Sequence, residues 1–228
     1  MRSGHDLSVI NKIALWKPRP IAENKIFVAA IAVVGVGAAQ GILNSFDVFG
    51  SKAITEIIAF LACAWLFPNE PHRKWSFRLG TGLIATGLLL GAIWVIFIGF
   101  PGRFETNFTS LTEIPLRFYA LGLVTSCIVA PLFEEKVVRH LLLDGASYYF
   151  GKLAATIGVS ALFAAVHVDA VVPAFLLSAF LCAGTQFFNL NSAQRSVIHG
   201  LVNFSMLHWV IFYPTTCDFL QSTLGSPL

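Results

Sequence analysis

The sequence predicts an all-α protein: a polytopic membrane helix bundle with about seven transmembrane helices, or eight. Of its 228 residues, 56% are hydrophobic and only 12% are charged, and the mean hydropathy is +0.75. A soluble domain carries about 25% charged residues, so this chain has too little polar surface to cover a water-soluble globule. Its apolar residues also fall in long runs, and a spanning helix needs ~20 of them. The lipid bilayer is therefore the expected solvent.

Seven apolar runs are candidates for spanning helices. The second is the shortest and contains Glu56. Prolines lie at the ends of the second, third and seventh runs, where a helix can end. The predicted spans are 26–44, 52–67, 79–101, 117–134, 152–168, 171–188 and 194–213.

Three regions follow from these spans. Residues 26–213 are expected to form a single transmembrane domain, whose polar motifs all lie in 117–213. Residues 1–25 contain five Lys or Arg and no apolar core of a signal peptide, so they are expected to be a cytoplasmic segment. Residues 214–228 are expected to be a short tail.

Lysine and arginine are distributed unevenly between the two predicted sides of the membrane. Twelve lie in the N-terminal segment and in alternate loops, against three (Lys52, Arg103 and Arg117) on the other side. The positive-inside rule then predicts a cytoplasmic N-terminus. The compact chain is expected to be a multi-pass protein of a prokaryotic inner membrane. A net charge of +3, with the basic residues in loops, gives no indication of a nucleic-acid partner.

The stretch "PLFEEKVVRHLL" places several charges at the end of an apolar helix. If the helix continues through it, Glu135 and Arg139 are four residues apart and can form a salt bridge on one face. Glu134 points about 100° away and has no partner in its own helix. In a poorly solvated pocket such a carboxylate can act as a general base. The alternative is a charged turn at the membrane interface, in which these residues are only solvated.

Two later helices also present polar groups with four-residue spacing. "FAAVH" aligns Phe163 with His167, and "HGLVN" aligns His199 with Asn203. An imidazole beside a carboxylate can orient and activate water, and a His/Asn pair can donate hydrogen bonds to an oxyanion. The sequence therefore indicates a hydrolytic site, with Glu134 and His167 on the water and the other pair on the carbonyl oxygen.

The three motifs E-E-x-x-x-R, F-x-x-x-H and H-x-x-x-N, in this order, resemble those of the CPBP family of glutamic intramembrane proteases. That family includes the type II CAAX prenyl endopeptidases and was also called the abortive-infection family. The resemblance covers residues 117–213. It implies that Glu134 is the catalytic carboxylate, that His167 is its partner on the water, and that His199 and Asn203 form the oxyanion hole.

The same resemblance implies a supporting role for the remaining motif residues. Glu135 and Arg139 would hold the site together, with Phe163 at the motif position before the first histidine. Catalysis would need neither a metal nor another cofactor. The substrate would be a membrane-associated protein or peptide, lipidated or bearing a C-terminal sorting signal. His140 departs from the family pattern and is expected to face the membrane interface.

Three other functions remain open from sequence. Two glutamates and two histidines could bind zinc in a metalloprotease, although no H-E-x-x-H motif is present. Intramembrane carboxylates and histidines also occur in proton-coupled transporters, although this chain shows no inverted repeat. A catalytically silent family member could act as an immunity or binding protein.

Overall fold

The structure is a computed structural model that describes residues 20–70, 73–99 and 114–212. Regular structure in these ranges is helical throughout, which confirms the predicted all-α fold class. Most of the predicted N-terminal segment 1–25 and all of the predicted tail 214–228 lie outside the described residues.

Seven helices make up the described part of the chain, and each overlaps one predicted span. The connection between the fifth and sixth helices includes a 3₁₀ turn, Val168–Ala170. The helices are α1 Pro20–Ser45, α2 Ser51–Leu66, α3 Phe77–Gly99, α4 Leu116–Phe150, α5 Lys152–Ala165, α6 Val171–Phe188 and α7 Ser192–Phe212.

Helix α4 differs most from the sequence-based expectation. The predicted span 117–134 ended within the charged stretch, and a helix that continues through this stretch was the alternative on which the contact between Glu135 and Arg139 depended. In the structure α4 continues to Phe150, with π-helical segments at Thr125–Val129 and Glu135–Leu142. The alternative of a solvated charged turn is wrong, because Glu135, Lys136 and Arg139 are all at most 2% exposed. Their charges pair with other buried groups, so the helix can continue without exposing them to water.

Helix α7 packs along α3 and against α4, while α5 packs along α6 and α1 packs against α2. Small residues permit the closest approaches. A Cβ atom on Gly200 would overlap the backbone carbonyl oxygen of Cys127, and one on Gly87 would meet Leu201 of α7. Such contacts between small residues are typical of packed membrane helices, and here they bring α7 beside the π-helical part of α4.

Among the described residues, four helical segments are long and apolar enough to cross a membrane: Asn24–Ser45, Phe77–Gly99, Leu116–Phe150 and Val171–Phe188. Lys152–Ala165 is apolar but shorter. Many large apolar side chains point outward, and Phe77, Trp65 and Leu116 are each more than three-quarters exposed. Such an apolar exterior is suited to lipid.

Candidate active site

A cavity of about 360 Å³ contains all four residues predicted to be catalytic. Glu134 enters from α4, His167 from the turn after α5, and His199 and Asn203 from α7. Phe163 also lines the cavity. The remaining wall is mostly apolar and comes from α3, α6 and α7; it includes Leu90, Ile93, Leu177, Phe180 and Met206.

Glu134 faces His199 across this cavity. Its Oε2 atom lies 3.7 Å from Nε2 of His199, and its side chain is 23% exposed. The separation is too long for a good direct hydrogen bond, but both groups border the space in which a water molecule or a substrate carbonyl would lie.

His167 is oriented by the backbone of its own helix. Its Nδ1 atom lies 2.7 Å from the carbonyl oxygen of Phe163. A carbonyl can only accept, so Nδ1 carries the proton and donates it, which leaves Nε2 as an acceptor in the neutral ring. The ring centroids of Phe163 and His167 are 4.4 Å apart. Ring packing and the hydrogen bond therefore both restrict the orientation of the imidazole.

Asn203 is held by a backbone carbonyl of α4. Its Nδ2 atom donates to the oxygen of Ser126 at 2.8 Å. In this π-helical segment the N–H of Ala130 donates to the carbonyl oxygen of Thr125, five residues earlier. In the same pattern, the carbonyl oxygen of Ser126 would accept from the N–H of residue 131. Pro131 has no N–H, and the oxygen of Ser126 therefore lacks that helical partner. The second N–H of the Asn203 amide remains for a ligand.

Glu135 connects three basic side chains behind the cavity. Its Oε1 atom is 3.0 Å from Nδ1 of His199 and 3.2 Å from Nη1 of Arg139, and its Oε2 atom is 3.0 Å from Nε of Arg195. The carboxylate and both guanidinium groups are at most 1% exposed. The predicted contact between Glu135 and Arg139 is present, and the guanidinium of Arg139 also lies 4.2 Å from the ring centroid of Phe163, within cation–π range.

Arg195 is the principal site residue that the sequence analysis missed. Besides Glu135, it donates to the carbonyl oxygen of Leu190 and lies 3.3 Å from Oγ of Ser192. Arg195 was counted with the basic residues of the loops, although it lies within the predicted span 194–213, and in the structure α7 begins at Ser192. The spacing could have revealed it, since Arg195, His199 and Asn203 recur every four residues on one helical face.

A second missed group, Glu70, ties the loop after α2 to α4 and α7. Its carboxylate accepts hydrogen bonds from Lys136 at 2.5 Å and from the backbone N–H of Ser192 at 2.7 Å. Burial alone would raise the pKa of Glu70, but His140, Lys136 and the Ser192 amide together hold that pKa well below its usual range.

His140 does not line the cavity. It was expected to face the membrane interface, but it is only 4% exposed and its Nδ1 atom lies 3.3 Å from Glu70. In the part of the chain that the structure describes, no three His, Cys, Asp or Glu side chains are arranged to hold a metal ion.

Residues 116–205, which extend from the start of α4 to within α7, match the family model described as "Type II CAAX prenyl endopeptidase Rce1-like". These residues form an Rce1-like domain. The match confirms the resemblance seen in the three motifs, and the matched family is one of hydrolases with CAAX intramembrane protease activity. Comparison with curated proteins and with solved structures gave no significant match.

The Rce1-like domain includes every residue of the cavity that the sequence analysis singled out. Together with the four long apolar helices among the described residues, the match supports a membrane protein of the CAAX protease type. Helices α1 to α3 precede the matched region, and α3 contributes Leu90 and Ile93 to the cavity wall.

Proposed function

We propose that this protein is a multi-pass intramembrane endopeptidase that hydrolyses a peptide bond of a lipidated, membrane-associated substrate. Glu134 and His167 activate a water molecule, and His199 and Asn203 bind the carbonyl oxygen of the scissile bond. The observation that supports this most directly is the convergence of these four side chains on one largely apolar cavity within the Rce1-like domain.

The hydrogen bonds favour a different role for each histidine. The neutral His167 offers Nε2 as an acceptor, so it can share the proton that Glu134 removes from water. Glu135, with two guanidinium groups beside it, is an ionised acceptor, so Nδ1 of His199 carries a proton. When Nε2 of His199 also carries a proton, it can donate a hydrogen bond to the oxyanion.

Asn203 supplies the second donor to the oxyanion. Its bond to Ser126 fixes the plane of the amide, so the remaining N–H is oriented before the substrate binds. Preorganised donors of this kind stabilise the charge that develops on the carbonyl oxygen in the tetrahedral intermediate. Water adds to the carbonyl carbon, its proton passes to the Glu134/His167 pair, and that proton then returns to the leaving amine.

The apolar wall suggests the substrate class. Leu90, Ile93, Leu177, Phe180 and Met206 surround the space beside the four polar groups, which suits aliphatic residues or a lipid chain next to the scissile bond. The distribution of lysine and arginine supports a cytoplasmic N-terminus, so substrates would be presented from the cytoplasmic leaflet.

Cleavage of matched peptides tests this proposal. The full chain, purified in detergent, is incubated with a farnesylated CAAX peptide and with the same peptide lacking the lipid, and the products are identified by mass spectrometry. Glu134→Gln should abolish cleavage while the melting temperature stays near that of the wild type. Glu56→Gln is the matched control, because Glu56 is a buried carboxylate that pairs with Lys52 and does not line the cavity.

Three outcomes would contradict the proposal in different ways. Cleavage by Glu134→Gln at the wild-type rate would remove the proposed base. Loss of activity with phenanthroline and its recovery with zinc would favour a metalloprotease. If neither peptide is cut by folded protein, proton flux into liposomes, compared between wild type and Glu134→Gln, would separate a transporter from a binding protein.

A further inference from the structure

A second cavity, of about 170 Å³, lies on the other side of the Glu135 network from the catalytic cavity. Its buried part is formed by Arg139, His140 and Arg195, each at most 4% exposed. Its outer part includes the exposed residues Lys152 and Asn189. The cavity is thus a polar funnel that leads from the surface to buried basic side chains.

Arg139 is the unusual member of this group. Its guanidinium is fully buried, yet none of its nitrogen atoms makes a well-oriented hydrogen bond to a described residue. Nη1 lies 3.2 Å from Glu135, close enough for charge attraction but poorly aligned. Nε2 of His140 is also buried without a hydrogen-bond partner among these residues. Buried donors are rarely left unsatisfied, so a ligand or ordered water is expected beside them.

The distribution of charge favours an anion over water alone. Arg139 and Arg195 share the single carboxylate of Glu135, so one buried positive charge has no carboxylate of its own on this side of the network. Lys152 forms no ion pair within the described ranges.

The two acidic side chains of the cavity do not supply the missing charge. Glu70 pairs with Lys136 and also lies 3.3 Å from Nδ1 of His140, and Asp144 pairs with Lys25. The charge of each carboxylate is therefore matched by a lysine that does not line the cavity.

We propose that this second cavity binds a phosphate group, carried by an anionic phospholipid or present as the free ion. A guanidinium presents its donors in a fork that matches phosphate oxygens. Arg139 would supply that fork at the base of the cavity, and His140 and Lys152 would donate from the sides. Basic pockets between helices on the cytoplasmic side of a membrane are suited to lipid headgroups, and the predicted orientation puts this cavity on that side.

A phosphate group bound in this cavity would also accept hydrogen bonds from the guanidinium of Arg139, which packs on Phe163 of the catalytic cavity. The phosphate site is nevertheless separate from the proposed reaction. The proposal of a phosphate site is supported by the buried hydrogen-bond donors and by the unbalanced positive charge. The experiment that tests it measures binding and does not require cleavage.

The test uses thermal unfolding of the purified full chain in a non-ionic detergent at fixed ionic strength. Dihexanoylphosphatidylglycerol, dihexanoylphosphatidylcholine and inorganic phosphate are titrated separately, and unfolding is followed by tryptophan fluorescence. A saturable rise in melting temperature with the anionic lipid alone would identify a lipid headgroup as the ligand. The same rise with inorganic phosphate would show that the free ion is sufficient.

Variants then place the binding in the cavity. His140→Gln and Lys152→Ser should each weaken the apparent affinity roughly tenfold, because each removes a charged or buried donor. Lys74→Ser is the matched control, since Lys74 is an exposed lysine in the loop before α3 and does not line the cavity. Both cavity variants leave the buried arginines in place, so they test the site without breaking the Glu135 network.

Several results would overturn the proposal. No saturable shift with either anion would mean that the cavity holds only water. An equal shift with phosphatidylcholine would indicate general stabilisation by lipid. Unchanged affinity in both cavity variants, or an equal loss in Lys74→Ser, would place the binding elsewhere on the protein.

Discussion

Glu135 on α4 accepts a hydrogen bond from Nδ1 of His199 on α7, with the two atoms 3.0 Å apart. This contact connects the buried ion-pair network to a side chain that lines the candidate active-site cavity. The carboxylate that pairs with both Arg139 and Arg195 therefore also orients His199 toward Glu134. Stability and catalysis should consequently depend on the same group.

Glu135→Gln should lower both the melting temperature and the rate of cleavage. The amide has the shape of the carboxylate but no charge, so both buried guanidinium groups lose their counter-ion. Breaking a buried ion pair in this way costs about 3–5 kcal/mol. Thermal unfolding and cleavage are measured on the same preparations. A Glu135→Gln protein that is fully stable but inactive, together with an active Glu134→Gln, would show that the two roles are reversed.

Arg195→Gln should act through the position of His199. Glu135 would lose its partner at Oε2 and could shift, so we expect kcat to fall with little change in KM. Arg195→Lys should recover part of the rate, because it keeps the charge but not the fork. Arg78→Gln serves as the control, since Arg78 is exposed on α3. Loss of stability without any change in kcat would mean that Arg195 has a structural role only.

The helices and the convergence of the motifs could be predicted because each depends on local pattern. Apolar runs of sufficient length specify membrane helices, and four-residue spacing places side chains on one face. Four polar residues that line the cavity, and the contact between Glu135 and Arg139, could therefore be predicted from sequence.

Contacts between distant segments were not predictable in the same way. Glu70 lies 66 residues before its partner Lys136, and only the fold brings them together. Whether α4 continues through the charged stretch could not be decided from sequence for the same reason, since charges of that density also suit a loop until their partners are known. Pro131 is a residue type that can end a helix, yet it lies within α4, in a short α-helical segment between two π-helical ones.

Gly200→Ala should destabilise the packing of α7 against α4. The added methyl group would overlap the carbonyl oxygen of Cys127, which belongs to the backbone and cannot rotate away. Overpacking of this kind costs about 1–3 kcal/mol, and the melting temperature should fall. Gly158→Ala on α5 is the control, because its Cβ would meet no atom within 4 Å and alanine favours a helix. Equal stability of the two variants would contradict the close packing.

Glu70 should make stability depend on pH in the acidic range. Its folded pKa is depressed by Lys136 and His140, so its contribution is complete above the unfolded value of 4.5 and is lost as the pH falls toward the folded value. Glu70→Gln should therefore melt below the wild type at pH 7, and the difference should shrink below about pH 4.5. The exposed Asp47→Asn variant provides the control. If the difference in melting temperature between the two proteins grew on acidification, ionised Glu70 would not stabilise the fold.

The hydrogen bond between Asn203 and the Ser126 carbonyl gives the sharpest test of the oxyanion hole. Asn203→Ala removes a donor, and the loss of one such donor typically lowers the rate ~10²–10³-fold, here with KM largely kept. Pro131→Ala should weaken the same contact by changing its acceptor, the carbonyl oxygen of Ser126. An alanine restores an N–H that can bond to Ser126 within the helix, so Asn203 would lose its exclusive acceptor and its fixed orientation.

Pro131→Ala should therefore lower kcat without lowering helix content, and combining it with Asn203→Ala should cost less than the product of the two single effects. Circular dichroism and steady-state kinetics measure the two quantities on the same samples. Independent, multiplicative losses would show that Pro131 acts apart from Asn203. A wild-type rate in Asn203→Ala would remove this side chain from the proposed oxyanion hole, leaving His199 as the donor from α7.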